Sequence, residues 1–323
     1  MKNILVTGGA GYIGSNIVEF LLRKNKKVVI IDNLSSGFKK LINKKAKFYN
    51  LNINNYNKVK KILINNNIDS VIHLAASISI YESNKNPKKF YNNNVTGTKN
   101  LVKACLNTTV KNFIFSSTAA VYEDTVRKVS ENFTTKPKST YGKTKLKAEK
   151  IIIKKFKNKN ISYAILRYFN VVGASPSNKF GPIKKNDTLF KNLANEVLKK
   201  KPLFHIYGKN YNTKDGSCIR DYIHVYDISE IHIKVLTKIN YNKFSVILNC
   251  GYGKGISVVQ AVNTFNKIVK KKIATKIQKR RSGDLASSIA KNNKLLKFIK
   301  WKPKYKTLKS IVLSCIKWEK KLN

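Results

Sequence analysis

Short apolar runs closed by polar or glycine-bearing stretches punctuate the first half of the chain. Residues 4–7, 27–31, 47–50, 70–74, 112–116 and 163–168 read as buried strands. Between them lie stretches with helical spacing, notably 12–23, 87–106 and 141–156. Strands alternating with helices predict an α/β fold built on a doubly wound parallel sheet. From about Val171 the pattern loosens, and Gly173, Pro176, Gly181 and Pro182 mark loops. The expected organisation is a sheet domain over 1–170 and a smaller mixed α/β, substrate-binding lobe over 171–323, with some chain crossing back to the sheet. No internal repeat interrupts this order.

The first strand runs directly into Thr7-Gly8-Gly9-Ala10-Gly11-Tyr12-Ile13-Gly14. A Gly-rich turn between a first strand and a first helix is where a Rossmann sheet receives a dinucleotide pyrophosphate. Gly8 suits the tight turn, Gly11 lets backbone N–H groups approach phosphate, and Gly14 lets the helix pack closely on the strand. The second strand ends in Asp32, about 20 residues on, where a carboxylate accepts hydrogen bonds from ribose hydroxyls. A carboxylate there also repels a 2′-phosphate, so the expected cofactor is NAD rather than NADP.

Composition then sets limits. With 323 residues the chain can bury a large core. No apolar run reaches the roughly 18 residues of a membrane span, and no leader precedes the first strand, so a soluble, cytoplasmic protein without membrane association is expected. Cys105, Cys218, Cys250 and Cys315 have no Cys-x-x-Cys spacing, and no His/Asp/Glu/Cys group has metal spacing, which argues against a disulfide framework and a metal site. The net charge of +49 invites a nucleic-acid reading. The lysines are spread along the chain rather than gathered, however, and travel with Asn and Ile in loops such as Asn65-Asn66-Asn67 and Asn92-Asn93-Asn94. All three residue types share A/T-rich codons, so compositional drift accounts for the charge without a specific nucleic-acid partner.

Three residues can do chemistry together. Tyr141 and Lys145 stand at i and i+4, on one helix face. A free tyrosine titrates near about 10, and a neighbouring cation lowers that value toward a usable base. The strand Phe113-Ile114-Phe115-Ser116-Ser117-Thr118 ends in hydroxyls at the carboxyl edge where such sheets bind ligands, so Thr118 can share a substrate oxygen with Tyr141. Elsewhere, Arg220 and Arg281 can offer planar bidentate donors to a diphosphate. His73 and His224 read as structural.

In these motifs the chain resembles the extended short-chain dehydrogenase/reductases of the NAD-dependent epimerase/dehydratase type. The resemblance runs from Thr7 to about Trp301. It includes His73-Leu74-Ala75-Ala76, Glu82-Ser83, Asn93-Asn94-Val95, Leu166-Arg167-Tyr168-Phe169-Asn170, Asp215-Gly216, Arg220-Asp221-Tyr222-Ile223-His224-Val225 and Arg280-Arg281-Ser282-Gly283-Asp284. It implies that Tyr141 is the base, that Lys145 binds the nicotinamide ribose, and that Thr118 positions the sugar hydroxyl. It implies NAD contacts at Gly8, Gly11, Tyr12, Ile13, Gly14, Asp32, Asn33, Asn52, Ile53, Leu74, Ala75, Ala76, Asn94, Ser116, Tyr141, Lys145 and Tyr168. A UDP-hexose would meet Thr118, Tyr141, Asn170, Asn192, Leu193, Tyr207, Arg220, Arg281 and Asp284. The implied activity is interconversion of UDP-galactose and UDP-glucose by transient C4 oxidation, in a homodimer paired through helices 87–106 and 141–156.

The sequence departs from that pattern at several places. Asn52 stands where relatives commonly carry aspartate, Ile78 where some carry lysine, and Glu123 where glycine is usual; the loop at Ser177-Asn178-Lys179 is short. Other readings stay open: a UDP-N-acetylglucosamine or UDP-glucuronate epimerase, a UDP-glucuronate decarboxylase, or a basic nucleic-acid-binding protein on a Rossmann platform. A 4,6-dehydratase is disfavoured because Ala119-Ala120, rather than an acid pair, follow Thr118.

Overall fold

A computed structural model describes residues 2–125, 127–183, 188–281 and 284–323. Its strands are β1 (Asn3–Thr7), β2 (Lys27–Asp32), β3 (Lys47–Asn50), β4 (Ser70–His73), β5 (Asn112–Thr118), β6 (Ser162–Tyr168), β7 (Asn170–Val172), β8 (Leu203–Tyr207), β9 (Ile219–His224), β10 (Val246–Cys250), β11 (Gly255–Ser257), β12 (Ala274–Gln278) and β13 (Ser287–Ser288). The chain forms two compact units. The first comprises Met1–Glu123, Phe133–Tyr168 and Ser229–Leu248, and the second comprises Asp124–Asn132, Phe169–Ile228 and Asn249–Asn323.

The first unit is organised by a seven-stranded sheet in the order β10-β6-β5-β4-β1-β2-β3. The pairs from β3 across to β6 are parallel, with Thr7 level with Ile31 on one side and His73 on the other. The chain leaves β1 toward β2 and β3, then resumes on the opposite side with β4, β5 and β6. That reversal beside β1 is the switch point where a doubly wound sheet opens a ligand crevice. The strands are near-continuous apolar runs because helices cover both faces. Leu5, Val29, Ile31, Val71, Phe113 and Phe115 turn to one face, where they pack with Val59, Leu63, Leu101, Val102, Ala148, Ile152 and Phe156 from three helices. The helix Val225–Asn242 buries Ile231, Val235, Leu236 and Ile239 at helical spacing.

The helix expected over 87–106 has a different interior. It is helical over Pro87–Phe90 and Gly97–Leu106, but Tyr91–Thr96 between them forms a π-helical turn. Asn92-Asn93-Asn94, counted among Asn-rich loops by composition, lies in that turn. From that turn the Asn94 amide accepts from Ser77 N at 2.8 Å and donates to Ser77 O and Thr144 Oγ1 at 3.0 Å each, tying the turn to the segment after β4 and to helix Thr140–Phe156. β5 runs to Thr118, so the hydroxyls Ser116, Ser117 and Thr118 are all part of the strand.

The second unit has a core of Phe190, Leu193, Tyr222, Phe265, Val312 and Ile316. In its small sheet β9 lies between β11 and β13 and also pairs with β7; β8 and β12 form a separate parallel pair. Regular structure after Val171 is more extensive than the glycine and proline spacing suggests, because helices Leu189–Glu196, Val258–Val269 and Leu308–Leu322 bury short apolar stripes. Among the described residues no helix is long and apolar enough to cross a membrane, and no His/Cys/Asp/Glu group could hold a metal ion.

Candidate active site

The glycine loop follows β1. Gly8 has φ +74°, and a Cβ there would lie 2.7 Å from Ala75 N, so the turn needs a residue without a side chain to pass the segment after β4. A Cβ at Gly14 would lie 2.1 Å from Gly8 O. Gly14 therefore lets the helix close on the loop, not on the strand as the sequence reading expected. Gly11 caps helix Tyr12–Arg23 without a side-chain hydrogen bond, and the first turn holds no acidic residue. A helix N-terminus in this state accepts phosphate. Asp32 takes the Ala10 N–H at 3.0 Å and the Leu34 N–H at 2.8 Å, one on each carboxylate oxygen, which leaves acceptor positions for ribose hydroxyls. Burial raises its pKa against those two hydrogen bonds. The residues at this edge thus fit a dinucleotide.

Beneath the loop, hydrogen-bond logic assigns a histidine tautomer. Thr98 Oγ1 donates to Asn94 O at 2.6 Å, so it accepts from His73 Nε2 at 2.9 Å. His73 Nδ1 then accepts from Thr7 Oγ1 at 2.7 Å. Burial, with Lys145 charge adding to it, lowers His73 to about 3, so the ring is neutral and structural, as its sequence setting implied. Other cofactor candidates are engaged nearby. Asn52 Oδ1 accepts from Asn54 N at 2.9 Å, Ile53 is buried against Gly97, Asn33 Oδ1 accepts from Ser35, and the Tyr168 hydroxyl bonds His232. Leu74 N donates to Thr7 O and Ala75 N to Thr7 Oγ1, while Ala76 follows them and Ser116 lies on β5.

Thr118, Tyr141 and Lys145 come together in this first unit. Helix Thr140–Phe156 is capped by Ser139, whose Oγ accepts from Gly142 N at 3.0 Å. Ser83, fully buried, accepts the Tyr141 N–H at 3.0 Å. A Cβ at Gly142 would lie 2.3 Å from Ala120 O, so this glycine allows the helix to approach the turn after Thr118. Across that contact the Thr118 hydroxyl comes near enough to the Tyr141 phenol to favour its charged form. The phenol is not acidified as the sequence suggested. Burial pushes it up to about 12, with the nearby Thr118 hydroxyl opposing. Burial also lowers Lys145 to about 7, opposed by Glu149, and its Nζ lies 4.2 Å from the Phe115 ring centre. A buried lysine makes a weak cation until a negative neighbour supports it.

The second unit gathers the remaining candidates on β9 and after β12. Arg220 donates to Leu285 O at 2.8 Å and lies 3.6 Å from Asp284 Oδ1. The Arg281 guanidinium lies 3.8 Å from the Tyr207 ring centre. Ser282 and Gly283 of this motif lie outside the described residues. Asn170 opens β7 exposed, Asn192 stands on helix Leu189–Glu196, and Leu193 beside it has its side chain fully in the core. Asp221 is structural: its carboxylate accepts from Tyr252 N, Gly253 N and Ala290 N. Gly216 has φ +73° at a tight turn, and Asp215 accepts from both Ser217 and Ser257. His224 bonds Ser314 and stacks on Tyr305 at 3.7 Å.

Residues 4–251 match the NAD dependent epimerase/dehydratase family. A UDP-glucose 4-epimerase of Halalkalibacterium halodurans is 38% identical over 98% of this chain and 95% of its own. The chain belongs to the NAD-dependent epimerase/dehydratase family. Among solved structures, a UDP-glucose 4-epimerase from Stenotrophomonas maltophila with bound NAD and formylated UDP-arabinopyranose is similar at TM-score 0.95 and 31% identity, covering 100% of this chain and 99% of that one. The UDP-Glc/GlcNAc 4-epimerase of Campylobacter jejuni is 36% identical at TM-score 0.85, covering 99% of this chain and 100% of its own.

For a member of the NAD-dependent epimerase/dehydratase family, two features here escaped sequence reasoning. One is Gly142, whose signal was its place inside Tyr141-Gly142-Lys143-Thr144-Lys145. The other is Tyr211, 6% exposed, whose hydroxyl has no hydrogen-bond partner among the described residues. Arg280 stacks 4.0 Å from the Tyr211 ring centre, and Asp284 and Arg220 act electrostatically on its phenol. No motif marks Tyr211 in a chain with 16 tyrosines.

Proposed function

We propose that the protein interconverts UDP-galactose and UDP-glucose by transient oxidation at C4, with NAD held at the glycine loop and Asp32. The observation that carries this reading is the convergence of the buried Tyr141 phenol, the Thr118 hydroxyl that favours its charged form, and Lys145 one helical turn away. Tyr141 takes the proton of the C4 hydroxyl and later returns it, while Thr118 donates to the phenolate oxygen and so favours its charged form. Bound NAD supplies the hydride acceptor and donor, and when oxidised a positive charge. Arg220 and Arg281 hold the diphosphate, with Tyr207 and Asp284 ordering Arg281 and Arg220 respectively. A firm nucleotide anchor retains the oxidised sugar while the hexose turns its other face, which inverts C4. Incubation with UDP-galactose, followed by product identification and analysis of nucleotide released on denaturation, tests the whole reading. UDP-glucose with NAD recovered supports it; an unchanged sugar overturns it.

The likeness to the Campylobacter jejuni enzyme favours a second reading, in which UDP-N-acetylhexosamines are also accepted. The homodimer and the cytoplasm belong to the proposal too. The exposed face of helix Thr140–Phe156 carries Lys143, Lys147, Lys150 and Lys154, so like charge opposes pairing there and salt screening favours it.

The orphaned phenol of Tyr211 belongs to the nucleotide anchor. Tyr211→Phe should weaken UDP binding about tenfold, the worth of a hydrogen bond to a charged group. It should leave the thermal midpoint of the ligand-free protein unchanged or slightly raised, because a buried unpaired hydroxyl is removed. Calorimetric titration with UDP and a melting curve measure both; unchanged affinity removes Tyr211 from the site.

A further inference from the structure

Glu149 stands one turn beyond Lys145 on helix Thr140–Phe156 and is 1% exposed. Its Oε1 accepts from Arg167 Nε at 3.0 Å and from Ser117 Oγ, and its Oε2 accepts from Arg167 NH2 at 2.7 Å. The free edge of the guanidinium donates to the Tyr122 hydroxyl at 3.0 Å. Ser117 and Arg167 are register partners on β5 and β6, each immediately preceding a candidate site residue, Thr118 and Tyr168. Tyr122 follows the turn Ala119–Val121, which Thr118 caps through Ala120 N. One buried ion pair therefore ties together the helix bearing Tyr141 and Lys145, the strand end bearing Thr118, and the turn beyond it.

Stability alone is a weak reason for such a pair. Desolvating both charges offsets most of their attraction, and well-packed apolar side chains of similar volume hold elements together as well or better. An apolar pair cannot place a negative charge one turn from Lys145. Among the described residues, the groups acting on or packed against that lysine are the neutral His73 from β4, the Phe115 ring from β5 and Glu149 from its own helix, with Tyr141 one turn before it on that helix. Arg167 from β6 shares the same carboxylate through two hydrogen bonds, on Oε1 and Oε2.

We propose that Glu149, clamped by Arg167 and Ser117, is a positioning residue of the reaction: it supplies the negative charge beside Lys145 and fixes that lysine and Thr118 around the Tyr141 phenol. This rests on the assignment of Tyr141 and Lys145 as the reacting pair. Removing the carboxylate leaves the ammonium unsupported, so Lys145 loses its proton at lower pH and any activity that needs it declines from a lower pH.

The test compares wild type with Glu149→Gln and with the double variant Glu149→Leu/Arg167→Met. The double variant leaves no guanidinium buried without its partner, so it carries the test should the single variant fail to fold. Two measurements are made: kcat and KM for UDP-galactose across pH, and the titration of Lys145 in protein with ¹³Cε-lysine, its resonance assigned by disappearance in Lys145→Arg. Both variants should lose about tenfold in kcat with KM little changed, and their Lys145 midpoint should fall by about one pH unit, the scale of losing a neighbouring opposite charge. A folded double variant with wild-type kcat and an unshifted Lys145 midpoint would overturn the proposal and leave Glu149 a packing element. If the wild type does not epimerise, the proposed function fails, yet the Lys145 titration still decides whether Glu149 governs that lysine.

Discussion

Tyr141→Phe should retain NAD and UDP binding and lose about 10³-fold in kcat, the scale on which a positioned acid–base group contributes. The substitution removes one oxygen from a mostly buried ring whose place is set elsewhere: by Ser83 on its main-chain N–H, by the Ser139 cap, and by the close passage of Gly142 over Ala120. None of these depends on the phenol, so the ring should stay where it is. Burial also lifts the tyrosine to about 12 in the protein without ligand, so it is no spontaneous anion at neutral pH. Proton abstraction must then draw on the Thr118 hydroxyl, on Lys145 and on the charge of oxidised NAD. Steady-state rates with UDP-galactose, alongside the NAD content of the purified variant, check this. A variant with full turnover would remove Tyr141 from the chemistry, while one that also lost NAD would mean the ring is a cofactor prop.

The second large effect is expected at the glycine loop. In Gly14→Ala the added Cβ would sit 2.1 Å from Gly8 O and 2.9 Å from Gly9 Cα. These are main-chain atoms, and Gly8 is itself tied by its N–H to Ile31 O at 2.8 Å. The loop must move as a body, which costs about 1–3 kcal/mol of overpacking and displaces the helix start that would receive the pyrophosphate. NAD affinity should fall about 100-fold, or ~2.7 kcal/mol. Gly11→Ala is the internal comparison, because its Cβ would meet only Gly8 O, at 3.2 Å. Its thermal midpoint should fall less than that of Gly14→Ala. Fluorescence titration with NAD and melting curves read both; wild-type NAD affinity in Gly14→Ala would contradict the loop assignment.

Much of the first unit is legible before folding. β1 and β2 announce themselves as apolar runs, and the glycines and Asp32 fall at fixed distances along the chain because one strand, one turn and one helix separate them. Tyr141 and Lys145 are likewise linked by a local repeat. What sequence reading misjudged is the environment of these residues. A lysine four positions from a tyrosine suggests an acidified phenol, yet burial is the larger influence on both, and it moves them in the opposite sense from mutual support. With 65 basic residues, composition also cannot single out Lys145 and Lys191 as buried. Nor does any spacing join Glu149 to Arg167, Asn94 to Ser77, or Tyr211 to Arg280.

The linear order of residues therefore determined the strand and helix succession, the glycine turn, the acidic strand end and the Tyr/Lys pair, because each depends on steric preferences and periodicities within a few residues. Tertiary structure alone decided which charges are buried, which hydroxyls are already bonded and which lysine stands beside a carboxylate. Desolvation and Coulomb interaction depend on distances through space and on exclusion of water, and neither exists until strands far apart in the chain lie side by side.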